Sequence, residues 1–137
     1  MELRRILILT LSGILYSGLS FSGVLNEQDG RTNQKDNEGR KQGKWIFFGK
    51  DRPNEGFPVE GKVEEGNYKD DRKEGTWIKY YNDGITPKLK GEYKNNRPEG
   101  EYVKLSPKGI VIEKGNFTKG KFIDSLTRYN ADGSLAY

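Results

Sequence analysis

Gly66-Asn67-Tyr68-Lys69-Asp70-Asp71-Arg72-Lys73-Glu74-Gly75-Thr76-Trp77-Ile78-Lys79-Tyr80-Tyr81-Asn82-Asp83-Gly84 is the stretch that decides the fold. Two runs of aromatic and β-branched residues flank the polar residues 69–74, which cannot bury themselves and so form a connection. Asp83-Gly84 is the pair that supplies positive φ in tight turns between antiparallel strands. The stretch therefore reads as a β-hairpin that feeds directly into a following strand.

The same template recurs along the chain. Gly66, Tyr68, Gly75, Trp77, Tyr80 and Gly84 return as Gly91, Tyr93, Gly100, Tyr102, Leu105 and Gly109, and again as Gly115, Phe117, Asp124, Leu126, Tyr129 and Gly133. Asp124 is the one failed glycine, and Gly43, Trp45 and Phe48 belong to an incomplete first copy separated from the next by a longer loop over residues 49–61. Gly66 and Gly75 each precede an aromatic by two residues and so share its strand face. Glycine weakens a strand, so its recurrence predicts that a flat side chain from the adjacent strand lies across the bare backbone. The expected fold is all-β: an elongated antiparallel sheet of consecutive β-hairpins over residues 38–137, after a flexible lead-in at residues 23–37 that shows no hydrophobic period.

This pattern resembles the MORN repeat, and in particular the bacterial MORN-repeat variant of YwqK-type antitoxin-like chains. Glu65 to Tyr68 and Gly75 to Gly84 carry the clearest match, and Gly39-Arg40-Lys41-Gln42-Gly43-Lys44-Trp45 is similar to the opening of secreted members. The resemblance covers roughly residues 37–137. It implies a platform for protein contacts, sometimes for lipid, and offers no catalytic residues to carry over.

Residues 1–22 place Arg4 and Arg5 before an apolar run from Ile6 to about Phe21, with Ser20 and Ser22 ahead of Gly23. That is the layout of a secretory signal peptide cleaved before Gly23, and it predicts export to the periplasm or cell surface. The rival is an uncleaved anchor, although the run is interrupted by Thr10, Ser12, Gly13 and Ser17 and falls short of the roughly 20 apolar residues a span needs. Cleavage would leave no stable membrane span.

Composition narrows the chemistry. The 137 residues contain no His and no Cys, which removes the imidazole base, the thiolate nucleophile and the N/S ligands of zinc and copper sites. From Gly23 onward there are 16 Ile, Leu and Val but 14 Phe, Trp and Tyr, so aromatics must do the packing. Lys and Arg total 24 against 20 Asp and Glu over the whole chain, a balance that argues against nucleic-acid binding. Residues 115–121 (GNFTKGK) fit the glycine spacing of a phosphate loop, but Phe122 follows where Ser or Thr is needed and both flanks read as strand. Acid pairs such as Glu64-Glu65 and Asp70-Asp71 read as solvated charge, with strand neighbours on opposite faces. No cofactor or metal site is expected, and no catalytic role.

Aromatic residues remain as the candidate binding groups. A single-layer sheet cannot cover both faces, so one face is expected to pack its rings and the other to keep partly exposed tyrosines. Trp45, Tyr81, Tyr93 and Tyr102 are the candidate partner-binding residues. The expected function is a non-enzymatic interaction platform for an envelope protein; a carbohydrate-binding module for cell-wall or surface glycan is the alternative.

Overall fold

The computed structural model describes residues 30–123 and 126–136. Ten strands among them make one open antiparallel sheet: β1 (Gln34–Lys35), β2 (Lys41–Phe48), β3 (Lys62–Lys69), β4 (Arg72–Tyr80), β5 (Pro87–Lys94), β6 (Arg97–Leu105), β7 (Val111–Thr118), β8 (Lys121–Phe122), β9 (Thr127–Tyr129) and β10 (Leu135–Ala136). Each strand pairs with the next in sequence, except that β7 pairs with β8 along one half and β9 along the other. This is the sheet of consecutive hairpins that the repeated template predicts. Residues 49–61 hold two 3₁₀ turns, Gly49–Asp51 and Pro53–Glu55. The signal-peptide reading falls on residues 1–22, outside those described.

Two turn types alternate. The first uses two residues with positive φ: Asp70-Asp71 (50° and 63°), Asn95-Asn96 (53° and 69°) and Lys119-Gly120 (52° and 76°). The polar connection at residues 69–74 is thus narrower than the sequence suggests, because both strands run up to the two-residue turn. The second type closes at Gly39, Gly84, Gly109 and Gly133, whose N–H groups donate to the carbonyls of Asp36, Tyr81, Ser106 and Asn130.

The first turn of each hairpin also latches onto the previous hairpin. Asp71 accepts from the Lys41 N–H, and Asn96 from the Lys73 N–H. In return Gln42 and Glu74 accept the N–H groups of Asp70 and Asn95, and Glu99 accepts that of Lys119. The acceptor always precedes a glycine with positive φ, namely Gly43 (66°), Gly75 (71°) and Gly100 (75°). These glycines supply a backbone bend that an L side chain resists. That corrects the expectation for Gly75: a Cβ there would meet nothing within 4 Å, so no ring lies over it.

Ring cover is found instead at Gly66 and Gly115. A Cβ on Gly66 would lie 2.6 Å from Trp77 Cγ and nearer still to Cδ2 and Cε2; on Gly115 it would lie 2.5 Å from Phe122 Cε2 and 2.6 Å from Tyr102 Cε1. In the strand register Trp45 opposes Gly66, Trp77 opposes Gly91 and Tyr102 opposes both Gly91 and Gly115, although a Cβ on Gly91 would meet only ordinary contacts at 3.5 Å and beyond. Across the sheet an aromatic alternates with a glycine. The last copy carries Asp124 at the position of Gly75 and Gly100, outside the described residues.

The sheet also begins earlier than the sequence boundary at residue 38. Asn33 accepts from the Ile46 N–H and donates to the Ile46 carbonyl through its side-chain amide, imitating a paired strand residue, and Gln34–Lys35 then pair with β2. The latter part of the expected lead-in is therefore built into the sheet edge.

Candidate functional site

The aromatic face is the feature most developed by the repeats. Ring centroids run Phe47 to Trp45 at 5.8 Å, Trp45 to Tyr68 at 5.8 Å, Tyr68 to Trp77 at 5.0 Å and Trp77 to Tyr93 at 6.5 Å. A second cluster joins Tyr102, Phe117 and Phe122 at 5.5–6.5 Å. The Trp45–Tyr68, Tyr68–Trp77 and Trp77–Tyr93 pairs are edge-to-face rather than stacked, which suits the ring quadrupoles. Lysines close the open faces: Lys73 Nζ lies 3.8 Å from the Trp77 centroid and 5.5 Å from Tyr93, and Lys41 Nζ lies 5.5 Å from Trp45 and 5.3 Å from Tyr68.

The four sequence candidates do not form one site. Trp45 is 8% exposed and its indole N–H points at the Gln34 and Gln42 carbonyls, so it packs rather than presents a surface. Tyr93 is half-buried at the end of the first ladder and Tyr102 half-buried in the second cluster, where its hydroxyl donates to Glu113 at 2.7 Å. Tyr81 is also half-buried, donates to the Leu105 carbonyl at 2.7 Å and is covered by Lys88. Tyr80, on the opposite face from Trp77, is buried, while Tyr68 and Tyr93 on the Trp77 face are half-buried, so the expected split into one packed face and one face of partly exposed tyrosines does not hold.

Tyr102 yields a titration test. Burial pushes its pKa up to about 12 from an ordinary 10.0, reinforced by its hydrogen bond to Glu113 and that carboxylate's charge. Because the folded value exceeds the unfolded one, the contact stabilises the fold in full below pH 10.0 and loses its contribution as pH rises through about 12. Tyr68, Tyr80 and Tyr93 are also pushed up by burial, so the tyrosinate step of Tyr102 is isolated as the absorbance difference from Tyr102→Phe, and it is expected to move toward 10.0 in Glu113→Gln. A step that stays in place would mean Glu113 does not set it.

Sequence reasoning missed the two acids. Glu64 and Glu65 are buried, not solvated, although they do serve opposite faces as strand neighbours should. Glu64 Oε1 accepts from Arg52 Nη2 at 2.7 Å and Oε2 from Lys73 Nζ at 3.0 Å. Burial alone would raise its pKa, but the hydrogen bonds and charges of Lys73 and Arg52 outweigh that and hold it below 4.5. Glu65 Oε1 accepts from the Tyr80 hydroxyl and from Lys62 at 3.0 Å, and Lys44 stands 3.4 Å from Oε2. It too is held below 4.5, its burial overridden by the bonds from Tyr80 and Lys62. Arg52 lies on the 49–61 loop and Lys73 on the neighbouring strand, so only the folded sheet assembles the Glu64 cluster.

Beside Glu64 lies a cavity of 530 Å³, lined by Phe57, Lys79, Tyr80, Asn82, Lys88 and Leu89 among others. Residues 115–121 hold no phosphate-cradling loop, since Lys119-Gly120 is a hairpin turn with strand on both sides. No group of three or more metal-ligating side chains converges among the described residues, and no described helix is long and apolar enough to cross a membrane. The chain matches no family model, no curated protein and no solved structure.

Proposed function

We propose that the chain is a secreted MORN-type repeat protein with no enzymatic role, which holds a protein partner in the cell envelope. The observation that carries this reading is that the tryptophans are consumed inside the sheet. Trp45 and Trp77 are buried with their faces covered by Lys41 and Lys73, so neither offers the free flat ring on which a sugar would stack. What the molecule turns outward is a broad charged sheet with exposed apolar side chains in two places. Val59 and Ile85 project from loops whose backbones meet at Gly61 and Gly84, and Phe122, Ile123 and Leu135 lie in the last copy. Contacts of that kind suit a partner spanning several hairpins, as an interface of about 800 Å² per side requires.

The glycan reading keeps one observation on its side, the partial exposure of Tyr81, Tyr93 and Tyr102. One experiment separates the two. The protein recovered from the envelope, with an intact mass beginning at or near Gly23, is tested against envelope protein extract and against purified wall polysaccharide. Tyr81→Ala, Tyr93→Ala, Tyr102→Ala and Ile85→Asp are expected to reduce capture of one identified protein in graded steps, with cross-links on at least two hairpins. Retention of the parent on polysaccharide, abolished by just one or two tyrosine changes, would replace the platform by the glycan module.

A further inference from the structure

The strand register lays down a row of charge with one gap in it. Glu64 pairs with Lys79, Lys79 with Leu89, Leu89 with Lys104, Lys104 with Glu113 and Glu113 with Arg128. Directly opposed residues share a face, so these six side chains form a single line across β3 to β9. The repeat spacing superimposes Glu64, Leu89 and Glu113 on one another, and likewise Lys79, Lys104 and Arg128. In the first of these copies Glu64 is met by Arg52 and Lys73, and in the last Glu113 is met by Arg128 Nε at 3.3 Å and by the Tyr102 hydroxyl.

The middle copy has no acid. Leu89 stands where the other two carry glutamate, and neither Lys79 nor Lys104 reaches a carboxylate at ion-pairing distance among the described residues. Lys104 acts on Glu113 only at longer range, through its charge. Two strand spacings, about 10 Å, separate the lysine backbones, a gap that two four-carbon stems close over a carboxylate set above Leu89. The 530 Å³ cavity is lined by Lys79 and Leu89 together with Phe57, Lys88, Arg52, Glu55 and Glu64, so an apolar wall and further cations lie next to the gap, with Arg52 already engaged by the two acids.

We propose that this gap binds an acidic side chain of the partner protein, in the position that Glu64 and Glu113 fill in the flanking copies. The proposal rests on the platform reading and deepens it, naming an acidic peptide segment with an apolar neighbour as what the partner presents. A glutamate-type carboxylate is the group favoured, because Glu113, one copy along the same row, is held there by the row's own Arg128.

The test uses fluorescein-labelled hexaglutamate and its anisotropy on titration with the protein at low salt. Leu89→Glu supplies the missing carboxylate within the chain and is expected to fold normally, since two other copies carry Glu there, while weakening the peptide at least tenfold. The double variant Lys79→Gln/Lys104→Gln is expected to do the same. Lys90→Gln/Lys94→Gln, an equal charge change elsewhere on β5, should stay within twofold of the parent. Absence of binding by the parent, or equal losses in both double variants, overturns the site; so does polygalacturonate displacing the peptide at lower carboxylate concentration than unlabelled hexaglutamate, which would assign the gap to an acidic glycan. If Leu89→Glu leaves envelope-protein capture unchanged, the site falls and the platform stands. If the peptide behaves as described but no envelope protein is captured, the platform falls and the site stands.

Discussion

Gly66→Ala is expected to cost about 3 kcal/mol, the upper end of what overpacking a filled site usually costs. The added methyl would fall against the Trp77 ring, 2.6 Å from Cγ and closer to the fused-ring carbons. Trp77 has nowhere to retreat: it is 2% exposed, held edge-on by Tyr68 at 5.0 Å, tied through its indole N–H to the Asn67 carbonyl at 3.1 Å and capped by Lys73. Gly75 provides the internal comparison. Its Cβ direction is open, and its requirement is a φ of +71°, which asparagine tolerates better than most residues. Gly75→Asn should therefore lose about 1 kcal/mol or less. Urea denaturation of the two variants checks the contrast, and similar midpoints would mean that ring cover at Gly66 is not what fixes the glycine.

That contrast shows how far residue types can be read without coordinates. The hairpin repeat is legible because each copy carries its own turn chemistry and its own aromatic positions, all within 25 residues or so. The two glycine roles are not separable that way. Gly66 is needed for its missing side chain and Gly75 for its backbone angle, and both stand two residues before an aromatic. The first turn is legible as a polar connection, but its reach back to Lys41 or Lys73 of the previous hairpin is a contact between copies that no single unit encodes. Trp45 fails as a binding candidate for a similar reason: the Gln34 carbonyl on which its N–H ends belongs to a segment without hydrophobic period. A signal for the buried acids is nonetheless present. Glu64 and Glu113 stand two repeats apart, with Leu89 in the copy between, and face Lys79, Lys104 and Arg128, whereas a charge that is merely solvated has no reason to keep step with the sheet.

Glu64 is one of the carboxylates that make the fold acid-sensitive. Removing one partner of a fully buried ion pair costs about 3–5 kcal/mol. Here Arg52 is 35% and Lys73 20% exposed and both can recover water, so Glu64→Gln is expected to cost about 2 kcal/mol at neutral pH. The sign of the pH dependence follows from the depressed pKa. The folded carboxyl ionises below its unfolded value of 4.5, so the contribution is complete above that value and is lost as pH falls through the lower folded value. Glu65, held down by Tyr80 and Lys62 against its own burial, adds a second contribution of the same sign from the opposite face. Parent and Glu64→Gln stability curves should therefore run parallel from about pH 5 to 8 and converge as the pH falls below 4.5, the parent losing what the variant never had. The gap between them at neutral pH should shrink little in about 0.5 M salt, because the carboxylate is 8% exposed and screening acts weakly on a buried group. Curves that stay equally far apart down to about pH 2 would show that the amide replacement itself disturbs packing and that the charges of Arg52, Glu64 and Lys73 are not the cause.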